Sequence, residues 1–298
     1  MAAAACGART ALPVDPTPDS GASDATPDRR DGGRDVRDAL SEDVFIPPID
    51  ANKPDVPTPL DCPDASETRI YLLGSQNELY SFHPPTLAFK QIGTLTCPAM
   101  GGTPFSMAVD RNGVAYVVYT NGRLFRVSTA TAACAPTPFV PNQMGFNTFG
   151  MGFAADENGD VLYVSQSGSP SLGLATIDTM NFSLGFVGAF SPSIPRNELT
   201  GTGDGRLFAY WPNVDGTSGG SLAQIDRTTA QVTGLNKLPV GSASDAFAFA
   251  YWGGYFWIFA GSSTTTVSRY DLVTQATVAV TTAPALIVGA GVSTCAPQ

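Results

Sequence analysis

Glu198 and Asp245 are two carboxylates in matching positions. Each opens a stretch of small and apolar residues, Glu198-Leu199-Thr200-Gly201 and Asp245-Ala246-Phe247-Ala248, and the two stretches are one period of an internal repeat apart. Two acids brought to one site can bind a cation, hold sugar hydroxyls or act as an acid/base pair. The plainer role is structural: each caps a backbone amide or pairs with a nearby base such as Arg196. Catalysis ranks behind binding, because the one His of the chain, His83, sits beside Pro84-Pro85 in a turn, far from both acids in sequence. A third candidate is Trp211. It heads the loop Trp211-Pro212-Asn213-Val214-Asp215-Gly216, where an indole beside Asn and Asp can stack on a sugar ring or fold back over a sheet edge.

Metal and cofactor chemistry have little support. No C-x-x-C, P-loop or H-E-x-x-H pattern occurs, and no metal or cofactor is expected. Asp156-Glu157-Asn158-Gly159-Asp160 is rich in oxygen ligands, yet it is too short for a calcium loop and aligns with the plain turn Asp110-Arg111-Asn112-Gly113. Asp178, Asp226 and Asp271 recur at one repeat position before Thr- or Asn-containing turns, where an Asp side chain accepts local backbone hydrogen bonds.

The elements that must position these residues are short strands. From Cys62 onward a unit of about 45 residues recurs, the size of one four-stranded propeller blade. Each unit pairs a small-residue strand with an aromatic one through a tight turn. Examples are Phe105–Asp110, Asn112-Gly113 and Val114–Val118, or Asp245–Ala250, Gly253-Gly254 and Tyr255–Phe259. Asn-Gly, Asp-Gly and Gly-Gly suit such turns because they tolerate positive φ. Small residues align at one inner-strand position, Ala108, Ala154, Gly201, Ala248 and Gly291, as expected where sheets converge on an axis. The remaining unit is divided between the chain ends: Thr68–Leu73 lacks an inner strand, and Val288–Ser293 is an inner strand with nothing after it. Joined, they make a fifth blade and leave no open sheet edge. The expected fold is all-β, a five-bladed β-propeller over 61–298.

Five cysteines are an odd number. Cys62 and Cys295 flank the gap in the divided blade and are expected to bond there; Cys97 and Cys134 are left to pair with each other. Disulfides place the chain outside the cytoplasm. Met1–Cys6 reads as the remnant of a lipoprotein signal with Cys6 as the lipidated residue, without the charged and apolar regions that precede such a cleavage site. Residues 7–60 are dominated by Asp, Pro, Ala, Ser and Arg, too polar to offset the entropy of ordering, and read as a disordered linker. A net charge of −10 excludes the basic face that nucleic acid requires. No apolar run is long enough to span a bilayer, so membrane attachment would run only through the lipid. A monomer at the cell surface, or secreted, is expected.

The run Glu198–Leu207 and the ending Ile287–Pro297 resemble segments of uncharacterised extracytoplasmic propeller proteins of myxobacteria and related bacteria. More loosely, the units resemble NHL-like and quinoprotein-like repeats. The resemblance implies fold and location and carries over no catalytic residue. The function expected is a binding or scaffold propeller that engages a glycan, peptide or envelope partner through its loop-rich face. The alternative is a hydrolase or lyase using carboxylates at the channel mouth.

Overall fold

The computed structural model describes Cys62, residues 67–213, Asp215, 217–240 and 246–298. The expected signal remnant and linker, with Cys6, and the acid Asp245 lie outside the described residues. The chain begins its sheet structure with β1 (Ile70–Gly74), β2 (Glu78–His83) and β3 (Ala88–Thr94). Then come β4 (Pro104–Val109), β5 (Val114–Tyr119), β6 (Leu124–Ser128) and β7 (Cys134–Pro136). The next set is β8 (Phe149–Asp156), β9 (Gly159–Gln166), β10 (Leu174–Ile177) and β11 (Leu184–Gly188). It is followed by β12 (Glu198–Gly201), β13 (Leu207–Pro212), β14 (Gly220–Ile225) and β15 (Val232–Leu238). The last are β16 (Ala246–Trp252), β17 (Tyr255–Gly261), β18 (Thr265–Asp271), β19 (Thr277–Thr282) and β20 (Ile287–Val292).

These strands form five antiparallel sheets of four: β20-β1-β2-β3 (blade 1), β4 to β7 (blade 2), β8 to β11 (blade 3), β12 to β15 (blade 4) and β16 to β19 (blade 5). Their inner strands, β20, β4, β8, β12 and β16, pack each on the next around a closed ring, the β16–β20 contact completing it. The five-bladed arrangement expected from the repeat is therefore present, and so is the divided blade. Ile70 pairs with Val292, Tyr71 with Gly291, Leu72 with Ala290 and Leu73 with Gly289.

The core is distributed rather than central. Five apolar clusters each lie between two neighbouring blades: Phe82 with Phe259, Leu73 with Met107, Val118 with Phe149, Ala154 with Leu199, and Phe208 with Phe256. Period-two alternation supplies a buried row on each sheet face, which is why the strands read apolar on both sides. Near the axis the sheets approach so closely that side chains do not fit. A Cβ on Gly152 of β8 would lie 2.8 Å from the Leu199 carbonyl of β12, and one on Gly289 of β20 would lie 2.9 Å from the Met107 nitrogen of β4. Small residues on the inner strands are thus a steric requirement of the ring.

Two disulfides fasten the chain, Cys62 to Cys295 and Cys97 to Cys134, each with Cα atoms 5.2 Å apart. The first closes the gap where the other blades have an inner hairpin. The residues after β20 do more than carry Cys295. Thr294 Oγ1 donates to Asp160 Oδ1 at the β8–β9 hairpin (2.8 Å), and the Gly253 amide at the β16–β17 hairpin donates to the Pro297 carbonyl (2.8 Å). A Cβ on Gly203 of blade 4 would strike the Thr294 carbonyl. This C-terminal segment therefore touches blades 3, 4 and 5 and covers the hairpin end of the axis.

Candidate functional site: the entry mouth of the ring

The connections between blades deliver the chain to the N-terminal ends of the inner strands, and Glu198 is the first residue of β12. Its side chain turns inward, and the residue is 2% exposed. Ser106 Oγ of β4 donates to Glu198 Oε2 at 2.6 Å, and the Met151 amide of β8 also donates to the carboxyl. One side chain from blade 4 thus joins blades 2 and 3. Burial pushes the Glu198 carboxyl up to about 8, against the opposing pull of the Ser106 hydroxyl and the Arg196 charge. At neutral pH it is mostly a protonated acid that can donate as well as accept.

Arg196 lies just upstream. Its guanidinium carbon is 4.8 Å from the Phe105 ring centroid of blade 2 and 4.8 Å from the Phe247 centroid of blade 5. Two aromatic rings from non-neighbouring blades thus hold the cation at the axis. Burial lowers the Arg196 pKa, and the neighbouring Glu198 partly restores it. Three polar atoms at this end of blade 4 are buried without a hydrogen-bond partner among the described residues: Arg196 Nε, Asn197 Oδ1 and Tyr210 Oη. Tyr210 on β13 pairs with Glu198 on β12, but its hydroxyl reaches the other way, toward β14, where a Cβ on Gly220 would lie 2.9 Å from it. Buried polar atoms are nearly always satisfied, so two orphans, Arg196 Nε and Asn197 Oδ1, immediately upstream of one perturbed acid mark a place where a ligand's polar groups would be matched. Chemically the set offers a cation, a neutral carboxyl and an amide oxygen, which suits recognition of a carboxylate or amide.

Of the residues singled out from the sequence, Glu198 lies at the expected end of the ring but is sealed rather than solvent-facing. Asp245 lies outside the described residues, so its relation to Glu198 is not described. Trp211 is placed differently from the expectation of a loop platform. Strand β13 continues through Pro212, with Trp211 paired to Ser221 and Pro212 to Gly220, and the loop begins only at Asn213. The indole is 8% exposed and packs in the cluster between blades 3 and 4 with Ile194 and Leu199, leaving no face for a sugar. The proline after it does not end the strand early, because at the end of the ladder its missing N–H costs nothing.

The acidic turn at 156–160 is turn and ion-pair chemistry. Asp156 Oδ1 accepts from the Asn158 amide (2.8 Å), and Asp160 accepts from Arg111 Nη2 (2.7 Å) and from the Arg111 amide (2.8 Å). No group of metal-ligating side chains occurs among the described residues. Asp178, Asp226 and Asp271 accept turn amides, as expected. The sequence Gly216-Thr217-Ser218-Gly219-Gly220 spells a nucleophile pattern, G-x-S-x-G, but its described residues, 217–220, lead into strand β14 and not into a helix. Sequence reasoning missed the partners Ser106, Phe105 and Phe247. Arg196 did leave a signal: it is the only Lys or Arg between Arg126 and Arg206, an isolated cation in a long stretch otherwise without basic residues.

No protein-family model matches the sequence, and no curated protein is similar to it. Among solved structures, the chain is similar to a protein of unknown function from Bacteroides caccae, with 12% identity, 71% of each chain covered and a TM-score of 0.36.

Proposed function

We propose that the protein is an extracytoplasmic binding module that recognises an acidic or amide-bearing group of a peptide, glycan or envelope partner at the entry mouth of blade 4. The observation that carries this reading is the pair of unpartnered buried polar atoms, Arg196 Nε and Asn197 Oδ1, immediately upstream of the Glu198 carboxyl. The two disulfides support an oxidising compartment. Attachment at the outer membrane or cell surface through a lipid on Cys6, and kinship with the myxobacterial propeller proteins, belong to the same proposal. Binding of glycan and peptide libraries to the wild type and to Arg196→Ala, followed by calorimetry on the hits, tests it. A carboxylate-bearing ligand whose affinity falls at least about tenfold in the variant supports the reading. Ligands that bind both proteins equally, or no ligand at all, overturn it.

A second reading follows from the protonated state of Glu198. A carboxyl held neutral at pH 7 is the form a general acid needs. In the hydrolase or lyase alternative Glu198 delivers the proton and a second carboxylate, with Asp245 in that role, completes the pair. Turnover by the wild type that Glu198→Gln abolishes without loss of fold would favour this reading over simple binding.

A further inference from the structure

A different part of the ring carries a second site. At the hairpin end, between blade 5 and blade 1, lies a cavity of about 300 Å³ walled by Trp252, Tyr255, Trp257, Arg269, Leu87 and Pro85. Strand pairing brings these residues together. Trp252 pairs with Tyr255 and Ala250 with Trp257 across the β16–β17 hairpin, and Trp257 pairs with Arg269 on β18. Paired residues share a sheet face, so three aromatic rings and one cation point at blade 1. The far wall is the turn after β2, where Pro84–Thr86 form a single 3-10 turn.

The rings are fixed in place. Trp257 is 3% exposed and stands edge-on to Phe82 of blade 1, with centroids 5.3 Å apart. The Trp257 Nε1–H donates to the Trp252 carbonyl (3.2 Å), and the Trp252 Nε1–H donates to the Thr68 carbonyl (2.9 Å). With both indole donors committed, what Trp252 still presents to the cavity is ring surface, and Tyr255 presents its ring and its hydroxyl. Arg269 lies 4.5 Å from the Tyr255 centroid and makes no hydrogen bond or ion pair through its side chain among the described residues. Asp271, two residues along the same strand, uses Oδ1 to accept the Val273 and Thr274 amides, and it acts on Arg269 through charge without a hydrogen bond. The cavity therefore holds an aromatic floor and one guanidinium whose donors are unused, and no acidic residue lines it.

We propose that this cavity binds a uronate residue of an acidic polysaccharide, the sugar's C–H face lying on Trp252 and Tyr255 and its carboxylate paired with Arg269. Flat rings complement the apolar face of a pyranose. A guanidinium fixed over Tyr255 matches a carboxylate with two parallel hydrogen bonds. The volume is at the small end for ligand pockets, the size for one sugar unit of a longer chain rather than for a folded partner. The site is at the opposite end of the ring from the entry mouth and stands independently of it.

The test uses the full-length chain with a short oligogalacturonide, its methyl ester and a proline- and aspartate-rich peptide as probes, followed by calorimetry and tryptophan fluorescence. The oligogalacturonide should bind with a fluorescence change. Its methyl ester, which keeps the sugar and loses the charge, should bind at least about tenfold more weakly. Arg269→Gln should reproduce that loss, and because Arg269 is only half-buried the variant should keep the wild-type melting temperature. No uronate binding, equal binding of acid and ester, or preference for the peptide would overturn the proposal.

Discussion

Ser106 and Glu198 sit two blades apart, yet the Ser106 hydroxyl donates to the Glu198 carboxyl at 2.6 Å across the axis of the ring. Direct contact between non-neighbouring blades means the axis at this end is a packed polar core. The C-terminal segment closes the other end through Thr294 and Pro297. The ring is therefore braced at both ends, and each brace has measurable consequences.

The first concerns pH. Burial raises the folded-state pKa of Glu198 to about 8 from an ordinary carboxylate value of 4.5. A raised folded pKa means the native state holds the proton more tightly than the unfolded chain. Its stabilising contribution is full below the unfolded value and is lost as pH rises toward about 8. Between these limits the wild type should lose stability relative to Glu198→Gln, which is neutral at every pH, by about 1.4 kcal/mol per pH unit at most. Urea unfolding of both proteins across that window reads the difference directly. A constant difference would show that the carboxyl is already ionised in the fold.

A second prediction concerns Asp160. Its side chain is 7% exposed, and it accepts from Arg111 of blade 2 and from Thr294 beyond β20. Asp160→Ala removes the carboxylate that Arg111 and Thr294 share and loosens the C-terminal segment at that point. A loss of about 3 kcal/mol is expected. Calorimetric melting should show it, and Asp160→Asn should fall between the two because it keeps an acceptor.

The Cys62–Cys295 bond spans a sequence separation of 233. Chain-entropy models give roughly 5 kcal/mol for a loop of that length. Cys295→Ser should lower the melting temperature. It should also speed amide exchange first in β20 and β1, the pair it fastens, before the blades with intact hairpins. Uniform acceleration across all five blades would show that the bond acts on the whole ring instead.

Trp211 separates a core role from a ligand-stacking role. With its indole packed between blades 3 and 4, Trp211→Ala should cost about 3–5 kcal/mol of stability. Chemical denaturation is the measurement. A variant as stable as the wild type would return Trp211 to the surface and reopen its use as a sugar platform.

The repeat, the hairpin turns and the divided blade were legible in the sequence because all of them are local. A period-two pattern, a Gly at a turn and a cysteine beside a gap depend on residues close along the chain or on one repeat superposed on another. The Cys62–Cys295 bond could be read for the same reason, whereas Cys97 and Cys134 were only the two cysteines left over. The sealing of Glu198, the clamp of Phe105 and Phe247 on Arg196, and the Trp252–Arg269 cavity were not legible. They join residues from different blades: Ser106 and Glu198 are 92 positions apart, and the blade 5 aromatics meet Pro85 and Leu87 of blade 1 and, through Trp252, Thr68 184 positions away. A repeat specifies how each strand pairs within its own sheet. How near non-neighbouring blades come across the axis depends on the ring's radius and on the volume of every residue lining it, which only the closed tertiary structure decides.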